Sequence, residues 1–203
     1  MISANTTQAL AATIAAHIEE SMAAKKRILE SDVGVLGRIA EIVVAALCRG
    51  NKILLFGNGG SAADAQHLAA ELIGRYRRER AALPAMALTT DTSILTSLAN
   101  DYSYDIVFAR QVQAFGRRGD VAIGISTSGN SANVLRAMEV AKAMGLHTIA
   151  LTGEGGGQLR DVADVCFCAP SRSVAHIQEM HITVGHALCE VVERELFDNR
   201  GDA

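Results

Sequence analysis

Apolar residues near the amino terminus recur about once per helical turn, which predicts a long amphipathic helix. Lys25, Lys26 and Arg27 lie off the apolar stripe, whose members are Leu10, Ile14, Ile18, Met22 and Leu29. We expect this apolar stripe to pack against another apolar surface. A second helix is predicted from about Val35 to Cys48 and ends at Gly50, because glycine commonly follows the last turn of a helix.

Beyond Gly50, short apolar runs alternate with helical segments. The runs span residues 52–56, 85–88, 121–125, 147–151 and 164–168. Runs that are apolar on both faces and joined through helices are typical of parallel strands covered on both sides. The pattern predicts an α/β fold, with a five-stranded, mostly parallel sheet flanked by helices. We expect an N-terminal helical extension over residues 1–34, a sheet domain over 35–203 and a last helix from about Ser173 to Phe197.

Composition narrows the class of partner. The 203 residues include 19 Lys and Arg against 22 Asp and Glu, with five Phe, three Tyr and no Trp. Few cations and few stacking rings argue against nucleic-acid binding. The apolar runs are far shorter than the ~20 residues of a membrane span, and the N-terminus has no signal-like segment. We therefore expect a cytoplasmic protein. Its cysteines lack paired metal-ligand spacing, which favours reduced core thiols: Cys48, Cys166, Cys168 and Cys189.

The first predicted strand leads into a glycine-rich loop made of Gly57, Asn58, Gly59, Gly60 and Ser61. In open parallel sheets, ligands bind beyond the carboxyl ends of the strands, where helix amides favour anions. The loop also fits a dinucleotide fingerprint, which requires an acidic residue about 20 positions later. Arginines occupy that region instead, from Arg75 to Arg80. The loop is therefore predicted to hold an anion other than a dinucleotide.

The third predicted strand ends in a second loop rich in hydroxyl groups, which comprises Ser126, Thr127, Ser128, Gly129, Asn130 and Ser131. Hydroxyls and amides at a helix start can wrap a phosphate without lysine. An ordinary turn with an N-cap has the same composition. Two such loops at successive strand ends favour a sugar-phosphate site. The glycines between 153 and 157 lack a lysine and predict a mobile connection.

Two predicted helices carry metal-ligand residue types. His67 and Glu71 are four residues apart and share a helix face. Gln178 and His186 lie eight apart on the last helix, roughly 80° around its axis. Imidazole and carboxylate suit Zn²⁺ or a neighbouring divalent ion. A partly exposed hydrogen-bonded His–Glu pair is the alternative, and His181 is able to replace either partner on the last helix.

Four stretches together resemble the bacterial phosphoheptose isomerases, which belong to the sugar isomerase (SIS) domain proteins. The stretches are Gly57–Leu72, Leu88–Tyr102, Gly124–Ser131 and Ile177–His186. The resemblance implies a flavodoxin-like three-layer α/β/α fold and conversion of sedoheptulose 7-phosphate to D-glycero-D-manno-heptose 7-phosphate, for nucleotide-activated heptose of lipopolysaccharide core. It also implies a homotetramer with active sites at subunit contacts, which gives the first helix a role in oligomer packing.

The resemblance also implies site residues. The metal ligands fall on His67, Glu71, Gln178 and His186, with one divalent ion per subunit and Zn²⁺ as the first candidate. Phosphate-binding hydroxyls fall on Ser126, Thr127, Ser128 and Ser131. Further substrate contacts are expected at Asn58, Gly59, Gly60, Ser61, Glu71, Arg75, Asn100, Asp101 and Gln178. Ala81, Ala82 and His176 depart from common family residues. The arginines after Arg75 are predicted to be solvated or at an interface.

Isomerisation of a ketose to an aldose needs a base, an acid and positive charge near the sugar oxygens. We expect Glu71 to be the base and His186 the acid/base partner. A metal-bound carboxylate is a weaker base, so Glu71 has both roles only if one oxygen stays free or it leaves the metal. Two alternatives are a non-catalytic SIS protein that binds the replication initiator and a sugar-phosphate sensor. The first lacks counterparts of Glu71 and His186, and the second carries a DNA-binding domain.

Overall fold

The computed structural model describes residues 4–197, which form eight α-helices and five strands. The bounds are α1 Ala4–Ser31, α2 Val33–Cys48, β1 Ile53–Gly57, α3 Gly60–Ile73, β2 Ala85–Ala87, α4 Thr92–Asp101, α5 Val107–Phe115, β3 Val121–Ser126, α6 Ala132–Ala143, β4 His147–Thr152, α7 Leu159–Val162, β5 Val165–Cys168 and α8 Val174–Phe197. A short 3-10 helix, Tyr104–Ile106, precedes α5. The predicted ranges 1–34 and 35–203 extend past the described residues at either end, and their boundary stays a prediction.

The five strands form one sheet in the order β2-β1-β3-β4-β5, and every neighbouring pair is parallel. β1 and β3 are buried along their whole length. The strand prediction is confirmed to within a residue or so at each end. In this order the chain leaves β1 toward one edge of the sheet and β3 toward the other, which opens a crevice between their carboxyl ends.

Alternate residues of each strand pack on opposite layers of helices. Ile53 and Leu55 face a core shared with α2, α3 and α8, whereas Leu54 and Phe56 face a second core shared with α5 and α6. Period-two alternation in β1 is the reason that one apolar run serves two cores. The three-layer α/β/α prediction is therefore confirmed.

Among the described residues, the N-terminal helix has buried side chains only in its second half. Ala24 and Ile28 are buried, whereas the predicted apolar stripe lies on the outside, with its five members 52–74% exposed. An apolar groove of about 590 Å³ continues this surface between the end of α1, α2 and α8. Within one chain, the stripe thus has no apolar cover among the described residues.

The prediction that the cysteines lie in the core is wrong for three of them. Cys48 is exposed because it is the last residue of α2, and Cys166 and Cys168 are half-buried because β5 is an edge strand. Cys189 is buried, and burial raises the pKa of its thiol to about 12. Among the described residues, none of the four is in a disulfide bond. Among residues 4–197, the helices are too short or too polar to cross a membrane.

Candidate active site at the ends of β1 and β3

Two glycines shape the loop after β1. A Cβ on Gly57 would lie 2.7 Å from the Ile125 carbonyl oxygen of β3, so only glycine fits beside that strand. Gly59 has a φ of +56°, which favours glycine. This sharp turn starts α3 at Gly60 and brings the loop amides close to the end of β3. The loop therefore lies where an anion would meet the start of a helix.

The loop after β3 contains hydroxyl groups that face one another. Ser126 Oγ lies 2.9 Å from Ser131 Oγ and 3.4 Å from Ser128 Oγ. Ser131 is also the residue that precedes α6. Through Ser131, this group of hydroxyls reaches the N-terminus of α6, and its contact with phosphate stays a prediction.

Side-chain amides join the two loops. Asn58 Nδ2 donates to Asn133 Oδ1 and Asn133 Nδ2 donates to Asn58 Oδ1, each at 2.9 Å. Tyr104 Oη donates to Asn58 Oδ1 at 3.3 Å. Tyr104 lies just beyond the end of α4, where the exposed Asn100 donates to Asp101 at 2.9 Å. The predicted sugar contacts Asn100 and Asp101 thus lie on the segment that reaches Asn58.

The prediction of a mobile connection at 153–157 is wrong, since this segment packs against the hydroxyl-rich loop. The Gly153 amide donates to the Thr127 carbonyl at 3.0 Å, and the Leu159 amide donates to the Gly129 carbonyl at 3.0 Å. A Cβ on Gly157 would lie 2.7 Å from the Gly129 carbonyl. The glycines are required for close backbone contact, and they hold the loop after β3 in place.

Three of the four predicted metal ligands lie together. His67 Nε2 lies 2.9 Å from His186 Nε2 and 3.2 Å from Glu71 Oε1. The ligand atoms of these three residues all lie within 4.8 Å of one another. The rings of Tyr76 and His186 stack with centroids 5.8 Å apart, which closes one side of the group. Two imidazoles and a carboxylate fit a divalent ion such as Zn²⁺. We call His67, Glu71 and His186 the metal-ligand group.

Gln178 lies at the other end of α3. Its side-chain amide occupies the place that a Cβ on Gly60 would take. Gly60 and His67 are seven residues apart on one helix, which amounts to about 10 Å along the axis. Gln178 therefore reaches the glycine-rich loop, at the start of the helix that also carries His67 and Glu71. A role for Gln178 as metal ligand stays a prediction.

His181 does not join the site. It is fully buried, its Nε2 donates to the Thr152 carbonyl at 2.9 Å, and its Nδ1 has no partner among the described residues. Burial lowers the pKa of His181 to about 4, although the hydrogen bond to Thr152 acts in the opposite direction. His181 is thus a neutral core residue, and it replaces neither Gln178 nor His186.

The arginine segment after α3 is less exposed than predicted. Arg75 is exposed and lies 3.8 Å from Glu79, and the structure shows no contact from it to the metal-ligand group. Arg80 is buried and pairs with the buried Glu193 at 3.0 Å. Arg80 also donates to the Glu71 carbonyl at 2.8 Å. The prediction of a solvated or interface segment is therefore wrong at Arg80, which instead holds the end of α3.

Asp64 is a site residue that the sequence analysis missed. It lies one turn before His67, and its Oδ2 is buried with no hydrogen-bond partner in the described chain. Burial raises the pKa of Asp64, while His67 and His186 act to lower it. The signal was present in the sequence, because Asp64, His67 and Glu71 share one helix face at spacings of three and four.

Comparison with known proteins settles the family. The SIS domain model matches residues 16–153. A phosphoheptose isomerase of Roseiflexus sp. is 58% identical over 181 residues, which is 89% of this chain and 92% of that protein. One of Akkermansia muciniphila is 56% identical, over 83% of this chain and 89% of that protein. The chain belongs to the phosphoheptose isomerase family.

Solved phosphoheptose isomerases share the fold. The structure from Neisseria gonorrhoeae is 47% identical, with a TM-score of 0.86 over 91% of this chain and 98% of that one. The structure from Francisella tularensis is 36% identical, with a TM-score of 0.87 over 90% of this chain and 97% of that one. This phosphoheptose isomerase family member therefore has both the sheet order and the helical N-terminus of an established enzyme group.

Proposed function

We propose that the chain is a sugar-phosphate isomerase that converts sedoheptulose 7-phosphate to D-glycero-D-manno-heptose 7-phosphate. The observation that carries this proposal is the metal-ligand group on α3, the helix that starts at the glycine-rich loop, in a chain 58% identical to a phosphoheptose isomerase. A non-catalytic SIS relative that binds the replication initiator is disfavoured, because Glu71 and His186 are both present and close together.

The phosphate would bind in the hydroxyl-rich loop at the start of α6. Four hydroxyls and the helix amides supply donors there without a lysine, and they would fix one end of the sugar. The glycine-rich loop and Gln178 would then line the path toward the reacting carbons. Asn100 and Asp101 would bind sugar hydroxyls from the side of α4.

In this arrangement the metal-ligand group would lie at the other end of the sugar, next to carbons 1 and 2. His67, Glu71 and His186 would hold a divalent ion, with Zn²⁺ as the first candidate and Gln178 as a fourth ligand. Such an ion supplies Lewis-acid polarisation of sugar oxygens when it is bound. The donor chemistry fits, since imidazole and carboxylate are the common ligands of this class of ion.

Glu71 would remove the proton from carbon 1 of the ketose, which gives an enediolate. His186 would act as the acid/base partner and transfer protons at the sugar oxygens or at carbon 2. The proton taken from carbon 1 is balanced by one returned at carbon 2, so the isomerisation neither consumes nor releases a proton. Glu71 Oε1 faces His67 at 3.2 Å. The second oxygen of Glu71 is therefore the one assigned to proton transfer, which reconciles its roles as ligand and base.

The protein would act as a homotetramer in the cytoplasm, and its product would enter nucleotide-activated heptose synthesis for lipopolysaccharide core. The exposed stripe on α1 and the adjoining apolar groove support assembly, because both are apolar surfaces that residues 4–197 of one chain leave uncovered. Leu29 belongs to both surfaces, so a helical bundle between subunits would cover them together.

The test is an assay of purified protein with sedoheptulose 7-phosphate, in which the aldose product is detected with and without a chelator. Glu71→Gln should abolish turnover while the substrate still binds, and the exposed Glu79→Gln should behave as the wild type. Turnover that is unchanged in Glu71→Gln would remove Glu71 from the chemistry. Full activity after complete metal removal would give any cation a structural role only.

A further inference from the structure

A second cluster of metal-ligand side chains lies where α1 crosses α8, apart from the metal-ligand group. His17 Nε2 is 3.3 Å from Glu179 Oε1, and His17 Nδ1 is 3.3 Å from His176 Nε2. One ligand atom from each residue lies within 4.8 Å of the other two. His176 is 5% exposed, whereas the side chain of His17 is half exposed. The cluster thus has a buried floor and an open side.

Neighbouring polar groups orient the carboxylate of this cluster. Ser21 Oγ donates to Glu179 Oε2, which leaves Oε1 turned toward His17. Lys25 Nζ lies 3.1 Å from Ser21 Oγ and 3.7 Å from Glu179 Oε2. A hydroxyl that holds one oxygen of a ligating carboxylate is the usual outer support of a metal site. Lys25 lies on the far side of the carboxylate, and its charge opposes a bound cation.

We propose that His17, His176 and Glu179 form a second binding site for a divalent transition-metal ion of the Zn²⁺ class. Two ligands on a tetrahedral Zn²⁺ with bonds of about 2.0–2.1 Å are roughly 3.4 Å apart. The two 3.3 Å separations are of this size, but they end on different ring nitrogens of His17. Binding of one ion would therefore require the His17 ring to turn so that one nitrogen faces both partners, and the half-exposed His17 side chain leaves a fourth position open to solvent.

The position of the cluster along α1 indicates what the ion does. Residues 6–20 of α1 are exposed, and the buried positions of the helix are Ser21, Ala24 and Ile28. His17 lies one turn before Ser21. An ion on His17, His176 and Glu179 ties the exposed half of the helix to α8. It therefore sets the direction in which the apolar stripe of α1 projects.

The test is to count bound Zn²⁺ by calorimetric titration of chelator-treated protein. The wild type should bind two equivalents per chain, and His17→Asn and Glu179→Gln should each bind one. His147→Asn, on β4 and outside both clusters, is the control and should keep two. Lys25→Met should tighten the second site about tenfold, because it removes the opposing charge. Circular dichroism of each variant shows that the fold is retained.

The counts also separate this site from the metal-ligand group. His67→Asn should leave one equivalent, which His17→Asn removes in the double variant. If the wild type binds a single equivalent, and this equivalent survives His67→Asn but is lost in His17→Asn, then only the second site binds Zn²⁺. One equivalent in the wild type that His67→Asn removes would overturn the proposal. Two equivalents in His17→Asn, or an unchanged affinity in Lys25→Met, would overturn it as well.

Discussion

Removal of one charge from the buried ion pair between Arg80 and Glu193 should lower the stability of the fold more than removal of an exposed charge. Both side chains are almost fully buried, at 2% and 4% exposure. Glu193 accepts hydrogen bonds from the Tyr76 amide at 2.8 Å, the Arg77 amide at 2.9 Å and Arg80 Nε at 3.0 Å. One carboxylate therefore fixes the whole segment that follows α3.

Glu193→Gln removes the charge and keeps the shape. The new amide group faces groups that are themselves donors, so at least one hydrogen bond is lost, and the Arg80 guanidinium is left buried without a countercharge. Breaking such a pair costs about 3–5 kcal/mol. For a chain of this length, that loss corresponds to a fall in Tm of roughly 6–20 °C. The Glu71 carbonyl, which Arg80 also holds, should shift, so turnover should fall as well.

The assay is urea unfolding at pH 7 and at one protein concentration, because subunit association adds to stability. Glu190→Gln is the matched control on the same helix. Glu190 pairs with Arg77 at 3.0 Å, but both side chains are more than half exposed, and such pairs are worth about 0–1 kcal/mol. Equal unfolding midpoints for Glu193→Gln and Glu190→Gln would refute the reasoning.

The same pair predicts a pH dependence. Burial acts to raise the pKa of Glu193, but hydrogen bonds from the Arg77 and Tyr76 amides and from Arg80 outweigh it, so the pKa lies below its ordinary value of 4.5. A lowered pKa in the folded state means that the stabilisation is complete above the unfolded value and is lost as the pH falls through the folded one. The difference between wild type and Glu193→Gln should therefore shrink below about pH 4.

Three further predictions concern the loops, the assembly and the sheet. Asn133→Ala removes the partner of both Asn58–Asn133 hydrogen bonds. We expect the free energy of unfolding in urea to fall by about 1–3 kcal/mol and the KM for the sugar phosphate to rise. An unchanged KM would show that this pair does not affect substrate binding. Ile14→Glu places a charge on the exposed stripe of α1 and should prevent assembly of the proposed tetramer, and sedimentation that shows a tetramer for this variant would contradict a role of the stripe in assembly. Asp120 accepts hydrogen bonds from the Lys52 ammonium at 2.5 Å and from the Lys52 amide at 3.0 Å, and Asp120→Asn weakens both. The free energy of unfolding at pH 7 should fall by about 1.5–3 kcal/mol. An unchanged free energy of unfolding would show that the carboxylate is dispensable.

The parts of the fold that were predictable depend on local spacing. The apolar runs located all five strands, and the four-residue spacing of His67 and Glu71 placed them on one helix face. The spacing of Gln178 leaves its role open. Its angle around α8 permits convergence with His186, but eight residues also rise by about 12 Å, so the angle alone does not decide whether the two side chains meet at one ion.

Contacts between distant segments were not predictable from the sequence. Arg80 and Glu193 are 113 positions apart, and their burial depends on where the end of α3 meets α8. His17 and His176 meet only because α1 crosses α8 at that point. Arginine and glutamate are usually exposed, so residue type favoured a solvent-facing prediction for Arg80.

The backbone contact between Gly129 and Gly157 limits how the substrate range of this chain can be altered. Since main-chain atoms alone fill that contact, a longer side chain in either turn would displace both turns and the hydroxyls that they carry. Variant libraries aimed at shorter or longer sugars should leave these turns intact. The exposed wall formed by residues 100–104 is the better place to randomise, because its side chains have room to change in size.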